Sequence, residues 1–246
     1  MSLKAFAASA LLACGLPTLA LAAAGVDVEI LDPRTGAVLP VYWHEGERHV
    51  VGEPGCEYEI RLHNRSGGRV LAVTSVDGVN VITGQTASPA QSGYVLDTWG
   101  RVDIDGWRKS LDQVAAFYFT ALPDSYAART GRPDNVGVIG VALFHERATV
   151  MPLESGYLSR EAAGAPAAQD SAVRKGTSSD RTEDDRLGTG HGRRLDSGSV
   201  YTHIERASAA PAQVIRIYYD SRRNLLARGI ISRTPEPFPN SFVPDP

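Results

Sequence analysis

The sequence predicts a mainly β protein: an antiparallel β-sandwich with short helical turns and one long flexible insertion. About ten short segments alternate apolar and polar residues with the period of two that is typical of half-buried strands. Turns rich in glycine, proline, asparagine and aspartate separate these segments. No predicted helix is long enough to serve as the crossover of a parallel sheet, so neighbouring strands are expected to be antiparallel. A β-barrel built from the same strands is the alternative.

The stretch 58–82 is predicted to form the centre of the sheet as a three-stranded meander. Apolar and polar residues alternate over 58–63, which gives this strand one buried and one solvated face. The chain re-enters a strand at 69–76 after a glycine-rich turn. Asp77-Gly78 then suits a two-residue type I′ hairpin turn. Both faces of 69–76 are apolar, so this strand is expected to be central and covered on both sides.

Further short strands are predicted on both sides of this meander. Upstream they lie at 26–31, 38–43 and 49–51, and the second is expected at a sheet edge because Pro40 cannot donate to a ladder. Downstream, apolar runs between turn signals predict strands at 94–96, 101–105, 114–120, 135–146, 200–204, 212–219 and 230–231. Capping residues and terminal glycines predict short helical turns at 110–113, 124–130 and 222–228.

Residues 1–22 are typical of an export signal that is removed from the mature protein. Lys4 precedes an apolar run, and Ala20-Leu21-Ala22 has the small-x-small form of a cleavage site. The mature chain is therefore expected to begin near Ala23 and to reside in the periplasm or outside the cell. The alternative is a lipoprotein of the outer membrane, because the residues before Cys14 resemble a lipobox.

The composition divides the rest of the chain into a sandwich, an insertion and a tail. Residues 162–198 contain almost no large apolar side chains, so they are predicted to be a flexible insertion. This insertion separates a first part of the sandwich, 23–161, from its final strands and short helix, 199–233. Residues 234–246 contain five prolines and are expected to be an extended tail.

Charge and cysteine content exclude several classes of function. The net charge of −3 provides no basic surface for nucleic acid. Past the signal, no apolar stretch reaches the ~20 residues that a membrane-spanning helix needs. Removal of the signal leaves Cys56 as the single cysteine, so no disulfide within the chain is expected. His44 and His49 are five residues apart and do not form a zinc-protease motif, and no cofactor or metal is predicted.

The segment LGTGHGRR, residues 187–194, is the most distinctive local sequence. Glycines flank His191, and Arg193 and Arg194 follow it. Glycine allows backbone N–H groups to approach an anion, and these three side chains can add positive charge. We therefore predict a mobile, ligand-binding loop carried by the β scaffold.

Two tryptophans are candidates for a binding surface. Trp99 and Trp107 both lie at predicted turns, where an indole ring is expected to be half exposed. The sequence shows no catalytic constellation, because no nucleophile has a recognisable base and orienting group.

Several runs resemble a group of exported bacterial proteins of uncharacterised function. They are YEIRLHNRSGGRVLAVTSVDGVNVITG, SGYVLDTWGRVDIDGWR, NVGVIGVALF, LGTGHG and RIYYDSRRNL, and the resemblance covers most of 52–231. It implies export from a bacterial cell and no particular chemistry.

The sequence as a whole predicts a binding or accessory module of the cell envelope, with an unknown protein or small molecule as its partner. The alternative is a hydrolase or ligand-processing enzyme that uses His191 on the glycine-rich loop.

Overall fold

A computed structural model describes residues 25–148 and 186–232. The predicted export signal with Cys14, residues 162–185 of the predicted insertion and the proline-rich residues 234–246 lie outside the described residues.

Within these described residues, two β-sheets of seven strands each pack around one apolar core, which confirms the predicted sandwich. In chain order the strands are β1 (Val26–Asp32), β2 (Ala37–Val38), β3 (Val41–His44), β4 (Glu47–Gly52), β5 (Glu57–Asn64), β6 (Val70–Val76), β7 (Val79–Asn80), β8 (Tyr94–Leu96), β9 (Arg101–Ile104), β10 (Gly106–Arg108), β11 (Gln113–Ala121), β12 (Val138–His145), β13 (Leu187–Asp196) and β14 (Gln213–Ser221). The helices are α1 (Tyr126–Arg129) and α2 (Arg222–Ala227), with 3-10 turns at Leu122–Asp124 and Pro133–Asn135.

The first sheet has the order β2-β1-β5-β11-β10, with β9 also beside β5 and β13 also beside β11. The second sheet has the order β3-β4-β14-β12-β6-β7, with β8 also beside β6. The described neighbouring strands are antiparallel apart from β4 and β14, which run parallel. These two strands are far apart in the sequence, so no hairpin fixes their relative direction.

The predicted meander at 58–82 is wrong in its pairing, although its strands are present. β5 belongs to the first sheet and β6 to the second, so the turn between them carries the chain across the sandwich. Asn64 is buried and fixes this turn: its side-chain amide donates to the carbonyls of Gly68 at 2.7 Å and Asp97 at 2.8 Å, and its oxygen accepts from Ser66. Alternation is a local signal and does not distinguish a hairpin from a crossing.

The prediction that 69–76 is central and covered on both faces is confirmed. β6 lies between β12 on one side and β7 and β8 on the other. Its outward residues Leu71 and Val73 pack with Phe144 and the partly buried Ile204. Residues 200–204, predicted as a strand, are instead irregular chain that covers this outer face. The guanidinium of Arg206 lies 4.2 Å from the Phe144 ring centroid and secures the covering segment.

The ends of the described chain correct two smaller predictions. Ile230 and Ile231 form no strand and pack with Leu225 of α2 against Tyr42 and Val51 of the second sheet. The helical turn predicted at 110–113 is an irregular bend that leads into β11. The turns predicted at 124–130 and 222–228 are present as α1 and α2, each capped by a serine hydroxyl.

Candidate functional site

The glycine-rich segment around His191 is a strand, so the prediction of a mobile loop up to 198 is wrong there. β13 pairs with β11 from Leu187 to Asp196. A Cβ at Gly190 would lie 2.1 Å from Cζ of Tyr118, and one at Gly192 would lie 2.8 Å from the carbonyl oxygen of Ala116. These glycines therefore serve close packing against β11 instead of mobility.

His191 lies at the edge of the sandwich and lines an open cleft of about 340 Å³ together with Asp124, Tyr126, Arg129 and Thr130. His191 pairs with Phe117 on β11. The ring centroid of His191 lies 5.7 Å from the ring centroid of Tyr126. The short helix α1 forms the opposite wall. A cleft of this size can accommodate a small ligand.

Three positively charged side chains act on His191 in this cleft. Burial lowers the pKa of His191, and the charges of Lys109, Arg194 and Arg129 lower it further. These three cations form no ion pair with the residues that the structure describes. Arg194 instead donates a hydrogen bond to the neutral side chain of Gln113 at 3.0 Å. The cleft therefore combines a neutral imidazole with cations that an anion can neutralise.

Trp107 forms the support of the cleft and not its surface, so the prediction that it is half exposed is wrong. It is only 3% exposed, and its indole N–H donates to the carbonyl of Gly190 at 3.0 Å. Its ring packs against Tyr126 at 4.8 Å and edge-on against Phe117 at 5.2 Å. A tryptophan close to a turn can thus be buried when a helix folds back over it.

Arg193 does not join His191. It forms a paired interaction with Glu57, with nitrogen–oxygen distances of 2.8 and 3.0 Å. Together they line a separate cleft of about 350 Å³ that also includes Glu59 and Asp105. His191, Arg193 and Arg194, which were predicted as one site, therefore do not lie together: His191 and Arg193 line different clefts, and Arg194 contacts Gln113.

Trp99 is exposed, as expected, on the turn between β8 and β9. Its side chain is 63% exposed, and its backbone φ of 58° lies in the left-handed region that bulky residues rarely adopt. The backbone N–H of Trp99 donates to the carbonyl of Ser66 at 3.4 Å, which links this turn to the crossing after β5.

A buried polar network in the core was missed by the sequence analysis. The Asp77 carboxylate accepts hydrogen bonds from Tyr219 Oη at 2.5 Å, Thr189 N–H at 2.7 Å and Gly137 N–H at 2.9 Å. The Thr189 hydroxyl also bonds the hydroxyls of Tyr219 and Tyr58, each at 2.7 Å. Burial raises the pKa of Asp77 to about 6.

This network ties the two sheets together and is closed to ligands. Tyr58 and Thr189 belong to the first sheet, whereas Tyr219 and the turn at Asp77 belong to the second. All four side chains are at most 3% exposed. The raised pKa of Asp77 therefore reflects its burial in the core and does not indicate a catalytic site, because a reacting group must be reachable by its substrate.

The histidines of the β3–β4 hairpin form no metal site. Within 25–148 and 186–232, no group of three or more His, Cys, Asp or Glu side chains is arranged to hold a metal ion. His49 is 1% exposed, stacks on Tyr218 at 5.6 Å, and burial lowers its pKa. Among the described helices, none is long and apolar enough to cross a membrane.

Comparisons of the chain with protein-family models, curated proteins and solved structures found no match.

Proposed function

We propose that this protein is an exported binding module of the bacterial cell envelope that holds a small anionic ligand in the cleft beside His191. Lys109, Arg129 and Arg194 carry the proposal, because the charges of all three act on His191, Arg129 also lines the cleft, and none forms an ion pair with a described residue. Unpaired cations beside a concave surface attract anions and increase their local concentration.

The side chains of the cleft can also orient such a ligand. Arg129 provides a planar fork of donors that matches a carboxylate or a phosphate. The hydroxyl of Tyr126 can donate a further hydrogen bond, whereas the single proton of the Thr130 hydroxyl is already donated to the carbonyl of Tyr126 at 2.8 Å. Asp124 also lines the cleft, and its carboxylate disfavours anions that extend over it. These features favour a compact anion over a long one.

Binding is favoured over the alternative of a hydrolase because that alternative required a mobile loop. His191 pairs with Phe117 of β11 beside a β-bulge between Ala115 and Phe117, so it lies on a strand and not on a mobile loop. In the described part of the chain, no hydrogen bond joins the His191 side chain to a hydroxyl, thiol or carboxylate that it could activate or that could orient it. The predicted export signal supplies the location in the envelope.

Isothermal titration of the mature chain with inorganic phosphate, sulfate and citrate tests the proposal. We expect at least one anion to bind and its affinity to fall as ionic strength rises. Arg129→Gln should weaken binding about fivefold or more, because it removes a charged hydrogen bond. Arg34→Gln changes the net charge equally at an exposed ion pair with Asp32 and is the matched control.

Absence of binding for all three anions would contradict the proposal. An equal loss of affinity in Arg129→Gln and Arg34→Gln would also contradict it, because the effect would then come from net charge and not from the cleft.

A further inference from the structure

Trp99 combines two features that rarely occur together on a protein surface. Its indole is 63% exposed, and its backbone is left-handed with a φ of 58°. This conformation is unfavourable for a bulky L-residue, and positions that require it are usually occupied by glycine or asparagine. Unfavourable backbone conformations that persist in a fold concentrate at binding sites.

The turn that carries Trp99 is held firmly in place. The Gly100 N–H donates to the carbonyl of Asp97 at 2.9 Å, which closes the turn. The buried Asn64 then binds both ends of it: its backbone N–H donates to the carbonyl of Gly100 at 2.9 Å, and its side chain donates to that of Asp97 at 2.8 Å. The indole is therefore presented to solvent from a rigid base.

A second exposed aromatic residue lies on a segment that is tied to the same turn. The Arg69 guanidinium lies 3.4 Å from the Asp97 carboxylate and donates to the hydroxyl of Thr202 at 3.2 Å. Tyr201, the residue before Thr202, is 89% exposed. One arginine thus holds together the two segments that display Trp99 and Tyr201.

The charged groups around this surface neutralise one another. Arg69 pairs with Glu146 at 2.7 Å as well as with Asp97. The remaining pairs nearby are Arg65 with Asp27 at 2.8 Å, Asp103 with both Arg61 at 2.7 Å and Arg101 at 3.7 Å, and Arg147 with Glu205 at 3.7 Å. This surface therefore favours no charged ligand, in contrast to the cleft at His191. It still offers hydrogen-bonding groups, because the Asp97 side chain is 85% exposed.

We propose that Trp99 and Tyr201 form a platform for a neutral carbohydrate chain. The C–H face of a sugar ring is apolar and slightly positive, so it stacks on the negative face of an indole or phenol ring. The hydroxyls at the edge of the ring need both donors and acceptors, and Arg101 and Asp97 supply them. A rigid aromatic surface with a neutral polar rim matches this ligand class better than an anion or a basic peptide.

The test is an array of neutral hexasaccharides of glucose, mannose, galactose, xylose and N-acetylglucosamine, probed with the mature chain. Hits are then measured by isothermal titration calorimetry, which does not depend on the indole that the variants remove. We expect at least one hexasaccharide to bind with a Kd of about 10 µM to 1 mM. Trp99→Ala should weaken that binding about tenfold or more, and Trp99→Phe should retain part of it.

Trp43→Ala is the matched control, because Trp43 is 64% exposed but lies on β3, away from the Asp97 turn in the chain. It should leave saccharide affinity unchanged within about twofold. The proposal is overturned if no hexasaccharide binds the wild-type chain, or if Trp99→Ala and Trp43→Ala reduce affinity equally. Retention of full affinity in Trp99→Ala also overturns it.

Discussion

Asp77 and Trp99 have the same unfavourable backbone conformation, with φ of 52° and 58°, in opposite environments. The Asp77 side chain is fully buried and accepts hydrogen bonds from three partners, which offset the conformational cost. The Trp99 indole forms no hydrogen bond or ring contact with the described residues. The side chain thus stabilises the first conformation, whereas hydrogen bonds to backbone groups alone hold the second and leave the indole without a partner among the described residues, which makes Trp99 a candidate for function.

The largest expected effect comes from removing the carboxylate at the buried position. Asp77→Ala leaves the N–H groups of Thr189 and Gly137 and the hydroxyl of Tyr219 without their acceptor. Because each unsatisfied buried group costs about 1–3 kcal/mol, we expect the free energy of unfolding to fall by about 3–5 kcal/mol. Urea unfolding followed by circular dichroism measures this change.

Asp97→Ala is the control for this prediction, since its carboxylate is 85% exposed and pairs only with Arg69 among the described residues. It should cost less than about 1 kcal/mol. Similar losses in both variants would contradict a special structural role for Asp77.

The next largest effect is a dependence of stability on pH. Burial raises the pKa of Asp77 from 3.8 to about 6, so the folded protein binds this proton more tightly than the unfolded chain does. The stabilisation of the folded state by the protonated Asp77 carboxyl is fully present below about pH 4 and is lost as the pH rises through about 6. The shift corresponds to a change on the order of 3 kcal/mol.

Asp77→Asn isolates this contribution from those of other titrating groups. The unfolding free energy of the wild type minus that of Asp77→Asn should decrease as the pH rises from about 4 to about 7. A difference that stays constant over this range would show that Asp77 is already ionised at low pH in the folded state.

Local patterns were sufficient to predict most strands of this fold. The predicted strands at 58–63, 114–120 and 135–146 correspond to β5, β11 and β12 within a few residues. The pairing of strands was harder, because alternation reports which face is buried and not which strand is adjacent. The crossing between β5 and β6 depends on Asn64 and its contact with Asp97, 33 residues away in the chain.

Glycine and tryptophan were ambiguous for different reasons. A glycine can indicate either a mobile segment or a position where another group packs closely against the backbone. At Gly190 the ring of Tyr118 packs closely against the backbone. Trp99 and Trp107 have similar local sequences, yet only Trp107 is covered by the ring of Tyr126. His191 could be predicted as a candidate site residue because it is a single histidine flanked by glycines.

The other parts of the cleft and the buried network come from distant segments. Lys109 and Arg129 approach His191 only after the chain folds. The bond between Tyr58 and Thr189 spans 131 residues, and that between Asp77 and Tyr219 spans 142. No short motif contains such a set of residues, so local patterns could not predict it.

Urea unfolding of Trp99→Ala and Trp99→Gly side by side shows most directly whether the backbone conformation of Trp99 stabilises the fold or is maintained for binding. Both variants lose the indole, but only glycine adopts a φ of 58° without strain. We predict that Trp99→Gly is more stable than Trp99→Ala by about 1 kcal/mol and at least as stable as the wild type. If both variants were instead destabilised equally relative to the wild type, the indole would stabilise the fold, and the claim that its conformation is maintained for binding would be wrong.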